Sequence, residues 1–91
     1  MFLTVAFYQF VTLDKKNSFQ KHIHNFCEVN KIKGTILLAD EGINGTISGK
    51  ERNIRDFLIF IKKDSLFNDL FSKLEHKESW ANKNPFYRMK V

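Results

Sequence analysis

Residues Phe2 to Val11 are apolar at both parities of an extended chain, and this constrains the fold more than any other feature of the sequence. The density of Phe, Val, Tyr and Thr marks a strand. Leu3, Val5, Phe7 and Val11 would share one face, and Thr4, Ala6, Tyr8 and Phe10 the other. A strand with apolar residues on both faces belongs in the middle of its sheet. Later segments must therefore supply strands on either side of it.

Downstream, strand-like and helix-like patterns alternate. Thr12 to Asn17 is a polar connection, in which Asp14 or Asn17 can cap a helix start. Phe19, Ile23, Phe26 and Cys27 then fall at i, i+4, i+7 and i+8, one helical face running to about Asn30. Lys33 to Ala39 reads as a second strand. Asp40-Glu41-Gly42 and Asn44-Gly45 read as turn signals, and Ile43, Thr46 and Ile47 as a short third strand closing a hairpin. Ser48-Gly49-Lys50-Glu51 has capping-box spacing. Ile54, Phe57, Leu58 and Ile61 follow at i, i+3, i+4 and i+7, with Lys62 and Lys63 in the last turn, where cations favour the helix dipole. Leu66 to Asp69 reads as a turn. Leu70 to about Glu78 reads as a fourth strand on a weak period of two.

The order β-α-β-β-α-β predicts an α+β fold, a ferredoxin-like sandwich with two helices on one face of a four-stranded antiparallel sheet. Residues 1–80 make this domain. Residues 81–91 read as a connecting segment and the start of a further strand, Phe86 to Val91, as though the chain were cut from something longer. One sheet face packs on the helices and the other is open. Assigning the more aliphatic set to the helices leaves Tyr8 and Phe10 on the open face. Exposed aromatics on a central strand suit base stacking or burial under another element. The third strand offers no aromatic partner, which favours cover by the Phe86–Val91 tail or by a further domain. Tyr8, Phe10, Phe86 and Tyr87 are thus candidate interface residues.

Composition narrows the function classes. With 43% hydrophobic residues, ten of them Phe, the chain is not a disordered one. No apolar run reaches the roughly 18 residues that span a bilayer, and Met1 to Tyr8 lacks the basic start and cleavage site of a signal peptide. A lone cysteine, Cys27, forms no internal disulfide and fits a reducing cytoplasm. Its place on the apolar face of the first helix suits a buried thiol better than a nucleophile. Fifteen Lys and Arg against ten Asp and Glu give a net charge of +5, which admits an anionic partner such as tRNA and equally suits simple solubilisation.

Few residues point to chemistry. His22 and His24 diverge on a helix and His76 is isolated, so no metal is expected; no cofactor and no catalytic residue is expected either. Glu41-Gly42-Ile43-Asn44-Gly45-Thr46 is the most distinctive run. Its glycines and Asn can free backbone N–H groups for an anion or simply supply hairpin geometry. Arg88 and Lys90 would share one side of a strand and suit phosphate contact or plain solvation. An acylphosphatase has the same fold class, but its chemistry needs an arginine-bearing anion loop after the first strand. Thr12 to Asn17 contains neither Arg nor Gly.

Three runs together carry a family resemblance: Lys33 to Ala39, the EGINGT run at 41–46, and Pro85-Phe86-Tyr87-Arg88-Met89-Lys90-Val91. They resemble the N-terminal region of the rhodanese-containing tRNA wobble-uridine hydroxylases (the TrhO, or YceA-like, family). The resemblance implies an acylphosphatase-like or ferredoxin-like N-terminal domain of an enzyme that converts tRNA wobble uridine to 5-hydroxyuridine with molecular oxygen. It also implies a downstream rhodanese-like domain holding the essential cysteine, a role that does not transfer to Cys27. The partners it implies are tRNA and that rhodanese-like domain. Glu41, Gly42, Asn44, Gly45, Arg88 and Lys90 become candidate contacts with one or the other.

Overall fold

A computed structural model describes residues 1–91. The first strand, β1 (Phe2–Phe10), lies in the middle of the sheet. Helix α1 (Lys16–Val29) follows, then the hairpin of β2 (Lys33–Ala39) and β3 (Gly42–Lys50), helix α2 (Glu51–Lys63), a short 3-10 turn at Ser65–Phe67, strand β4 (Glu75–Ala81) and the two-residue β5 (Met89–Lys90). The sheet order is β4-β1-β3-β2-β5. Strands β1 to β4 pair antiparallel in the ferredoxin-like arrangement. The sheet is nonetheless five-stranded and mixed, because β5 joins the outer edge of β2 in parallel register, Gly34 opposite Met89.

One face of the sheet is closed by the helices. Leu3, Val5 and Phe7 of β1, Ile36 of β2 and Ile43 and Ile47 of β3 meet Phe19, Ile23 and Cys27 of α1 and Ile54, Phe57, Leu58 and Ile61 of α2. All belong to one buried cluster, as the helical and strand periodicities predict. Phe26 and Phe60 stack across the helix pair with ring centres 4.0 Å apart.

Several local expectations need correction. The fourth strand does not begin at Leu70. Asn68 and Asp69 adopt left-handed backbone angles, φ 48° and 62°, which interrupt an extended chain. Residues Phe67, Phe71 and Leu74 instead fall at i, i+4 and i+7 and turn into the core, with Phe19 5.1 Å from the Phe67 ring. Asn44-Gly45 is not a turn. It lies within β3, opposite Tyr8-Phe7 on one side and Leu37-Ile36 on the other. Gly45 is needed for close approach: a Cβ there would stand 2.7 Å from the Thr35 carbonyl oxygen and 2.9 Å from the Phe7 ring. Neither helix has the expected cap. Residues Lys15 and Lys50 occupy the two N-cap positions without side-chain capping bonds. Ser48 is still in β3, where its hydroxyl accepts a hydrogen bond from Thr4 at 3.0 Å.

Candidate functional site

The open face of the sheet carries the candidate residues, and the chain itself crosses part of it. From the end of β4 at one edge, residues 82–88 must reach β5 at the other. Asn84 Nδ2 donates to the Ser48 carbonyl at 3.1 Å on the way, and its Oδ1 accepts from the Phe86 amide at 2.9 Å. Phe86 comes down beside Ala6, Thr35 and Thr46 and is half-buried. This crossing buries Ser48 and covers one end of the face. The other end stays open: Tyr8 is 50% exposed, Phe10 82% and Leu37 59%.

At that open end the hairpin and β1 meet. Tyr8, Phe10, Glu41, Gly42 and Asn44 line a shallow depression of about 240 Å³. The Tyr8 and Phe10 rings meet edge-on with centres 6.0 Å apart. The Tyr8 hydroxyl donates to Glu75 of β4 at 2.9 Å, and this hydrogen bond, with the nearby carboxylate charge, pushes the phenol pKa up. No Lys or Arg lines the depression, and Glu41 adds a negative charge to it. Its chemistry is that of an aromatic and amide surface, not of a phosphate cradle.

The remaining candidates lie elsewhere. Gly45 sits mid-strand beneath Phe7 and presents only backbone. Arg88 and Lys90 lie at the β2–β5 edge, where the Arg88 carbonyl accepts from the Gly34 amide at 2.8 Å and leaves the side chain exposed. Lys90 pairs with Thr35, four residues along β2 from the hairpin, or roughly 13 Å. Tyr87 is 93% exposed, and its carbonyl accepts from Lys33 Nζ at 3.3 Å. The structure thus joins Glu41, Gly42 and Asn44 to Tyr8 and Phe10, and sets Arg88 and Lys90 apart from them. Leu37 and Glu75 were not singled out by sequence reasoning. Leu37 shows only once the register places it beside Asn44, and Glu75 only once β4 starts there, opposite Tyr8.

The other reactive side chains are buried or lie beside carboxylates. Cys27 is fully buried, and burial, with Glu28 beside it, pushes its thiol pKa up to about 12, so it stays protonated. His22 lies 3.5 Å from Asp64 and His24 3.4 Å from Glu28. His76 and Arg55 both engage Glu78, and their hydrogen bonds, Arg55 first, hold that carboxylate down to about 2. In the loop after β1, where an acyl-phosphate hydrolase would hold its anion, the Val11 and Leu13 amides donate to the Glu41 and Asp40 carbonyls, both at 3.0 Å. Those two donors are spent within the protein.

Fold and site together define an acylphosphatase-like sandwich whose distinguishing surface is the half-covered open face. The chain belongs to the family described as UPF0176 acylphosphatase-like domain, whose model matches residues 2–91. It is 47% identical over 90 residues to the tRNA uridine(34) hydroxylase of Albidiferax ferrireducens and 50% identical to that of Acaryochloris marina, covering 99% of this chain in each case. The chain spans only 27% and 28% of those two proteins. Among solved structures it superposes on an acylphosphatase from Bacillus subtilis with a TM-score of 0.67 and 12% identity, covering 100% of this chain and 98% of that one. It also matches a bacterial light-regulated adenylyl cyclase, TM-score 0.75 and 11% identity, over all of this chain and 28% of that one. These likenesses concern the fold. No helix is long and apolar enough to cross a membrane.

Proposed function

We propose that this chain is the non-catalytic N-terminal domain of a cytoplasmic tRNA wobble-uridine hydroxylase, where it contacts tRNA and docks a downstream rhodanese-like domain. The observation that carries this reading is near-complete coverage of the chain at 47–50% identity by proteins named tRNA uridine(34) hydroxylase. We assign the two roles to two surfaces. Tyr8, Phe10, Glu41, Gly42 and Asn44, with Gly45 shaping the strand beneath them, form the docking end of the open face. Arg88 and Lys90, on the basic edge, suit RNA phosphates. The exposed aromatics also favour a second reading, a purely structural interaction domain. An acyl-phosphate hydrolase is disfavoured by the spent amides of the loop after β1.

The test is genetic and chemical. Deleting the gene that encodes the chain should remove 5-hydroxyuridine from digested tRNA, as read by mass spectrometry. The intact gene should restore it, and a version lacking residues 1–91 should not. Restoration by the truncated version would overturn the proposed role of this domain.

A further inference from the structure

A second concave surface lies away from the EGINGT run, at the opposite end of the sheet. It is an open groove of about 700 Å³ where the start of β2, the end of β3 and the C-terminal end of α1 converge. Three lysines line it: Lys31, Lys33 and Lys50. Lys31 and Lys33 are near neighbours in the sequence, but nothing there joins Lys50 to them. The hairpin register sets Lys33 opposite Ser48, two residues from Lys50, and the left-handed turn at Lys31 (φ 57°) brings the third lysine alongside. None of the three forms an ion pair, whereas Lys16 and Arg55 do so elsewhere in the molecule, and no Asp or Glu lines the groove.

The geometry points to this groove as a binding surface for the phosphate backbone of single-stranded RNA. Three uncompensated cations around one concavity repel one another and hold a field that an anion relieves. At about 700 Å³ the groove is far larger than a single small anion, and suits a run of phosphates. Lys50 is also the N-cap of α2 and has no side-chain capping bond; Glu51 in the same first turn leans toward Arg55 at 3.4 Å, outside the groove lining. The half-buried rings of Phe2 and Phe86 line the same groove and offer faces for bases, the pairing of cations with aromatics used by single-strand binders. An acidic protein segment would match the charge but would leave these rings without a planar partner. The inference rests on the proposed contact with tRNA and adds this groove to the Arg88 and Lys90 edge as a second surface for it.

Binding of fluorescein-labelled tRNA and of an unstructured oligoribonucleotide to the 91-residue chain, followed by anisotropy between 50 and 200 mM salt, tests this surface. Both should bind, and the triple variant Lys31→Gln/Lys33→Gln/Lys50→Gln should bind at least tenfold more weakly at low salt. Its slope of log K against log salt should be shallower by roughly 2–3, as for the loss of three phosphate contacts. Lys62→Gln/Lys63→Gln, at the far end of α2, should change little. Circular dichroism checks that each variant folds, and amide shifts of the unmodified chain on adding the oligoribonucleotide, centred on residues 30–33, 50, 53 and 84, give a reading free of any variant. Shifts elsewhere, or a triple variant that binds like the parent while Arg88→Gln/Lys90→Gln does not, would overturn the groove and leave tRNA contact standing. No binding by the unmodified chain at 50 mM salt would remove both. Competition by poly-glutamate as effective as that by RNA would assign the groove to an acidic protein and overturn the RNA assignment.

Discussion

The two faces of the sheet are built on opposite terms. The closed face is uniform: every inward side chain of β1 from Leu3 to Phe7 is apolar and meets a helix. The open face is partitioned. Its basic end is crossed by residues 82–88, and its aromatic end is bare. Burial on the closed face offsets the chain entropy of folding, whereas apolar area left in water on the open face contributes nothing to stability. What the open face retains against that pressure is the apolar surface assigned above to the proposed partners.

The largest expected effect follows from that contrast. Phe57 is fully buried among Phe7, Phe26 and Phe60. Phe57→Ala removes that packing and leaves a cavity, which should lower stability in urea by about 3–5 kcal/mol. Phe10→Ala deletes the same side chain from the open face and should stay within about 0.5 kcal/mol of the parent. If Phe10→Ala is strongly destabilising, the open face is part of the core and the contrast fails.

A mutation at the seam between the faces should come next. Gly34 has φ +141°, and a Cβ there would lie 2.1 Å from the Thr46 carbonyl oxygen and 2.7 Å from the Ile47 Cα, both backbone. Its amide also anchors β5 through the Arg88 carbonyl. Gly34→Ala should therefore cost about 2–3 kcal/mol. It should also loosen the crossing segment, seen as amide shift changes at Ser48 and Asn84. Unchanged shifts at those two residues would mean that the cover is held independently of β5.

The closed face is legible in the sequence because burial imposes a period. The i, i+3, i+4 and i+7 pattern from Ile54 and the alternation from Leu3 both record it. The same logic misleads at Leu70, where Phe67, Phe71 and Leu74 are apolar for a turn and not a strand, and the left-handed residues Asn68 and Asp69 leave no periodic trace. The open face imposes no period, so its sites are harder to read. Tyr8 and Phe10 show themselves only because aromatics at solvent positions are unusual. The EGINGT run stands out, yet its glycines and Asn read as a turn, because the close approach that requires Gly45 involves Thr35 and Phe7 from other strands. Lys31, Lys33 and Lys50 look like ordinary solubilising residues until the register brings them together.

The smallest expected effect lies at the rim of the closed face, where α2 meets β4. Glu78 receives Arg55 at two oxygens and His76 at one, and these hydrogen bonds hold its folded-state pKa at about 2, against an ordinary 4.5. A carboxylate held below its unfolded value favours the folded state in its ionised form. That contribution is complete above about pH 4.5 and is lost as the pH falls toward 2. Glu78→Gln removes it, so the variant should melt below the parent at pH 6 and the two should converge near pH 2. The pair lies at the surface, so the gap should be small and should shrink with added salt. A gap that persists at pH 2 would mean that Glu78 acts through packing rather than charge, making the rim a continuation of the closed face.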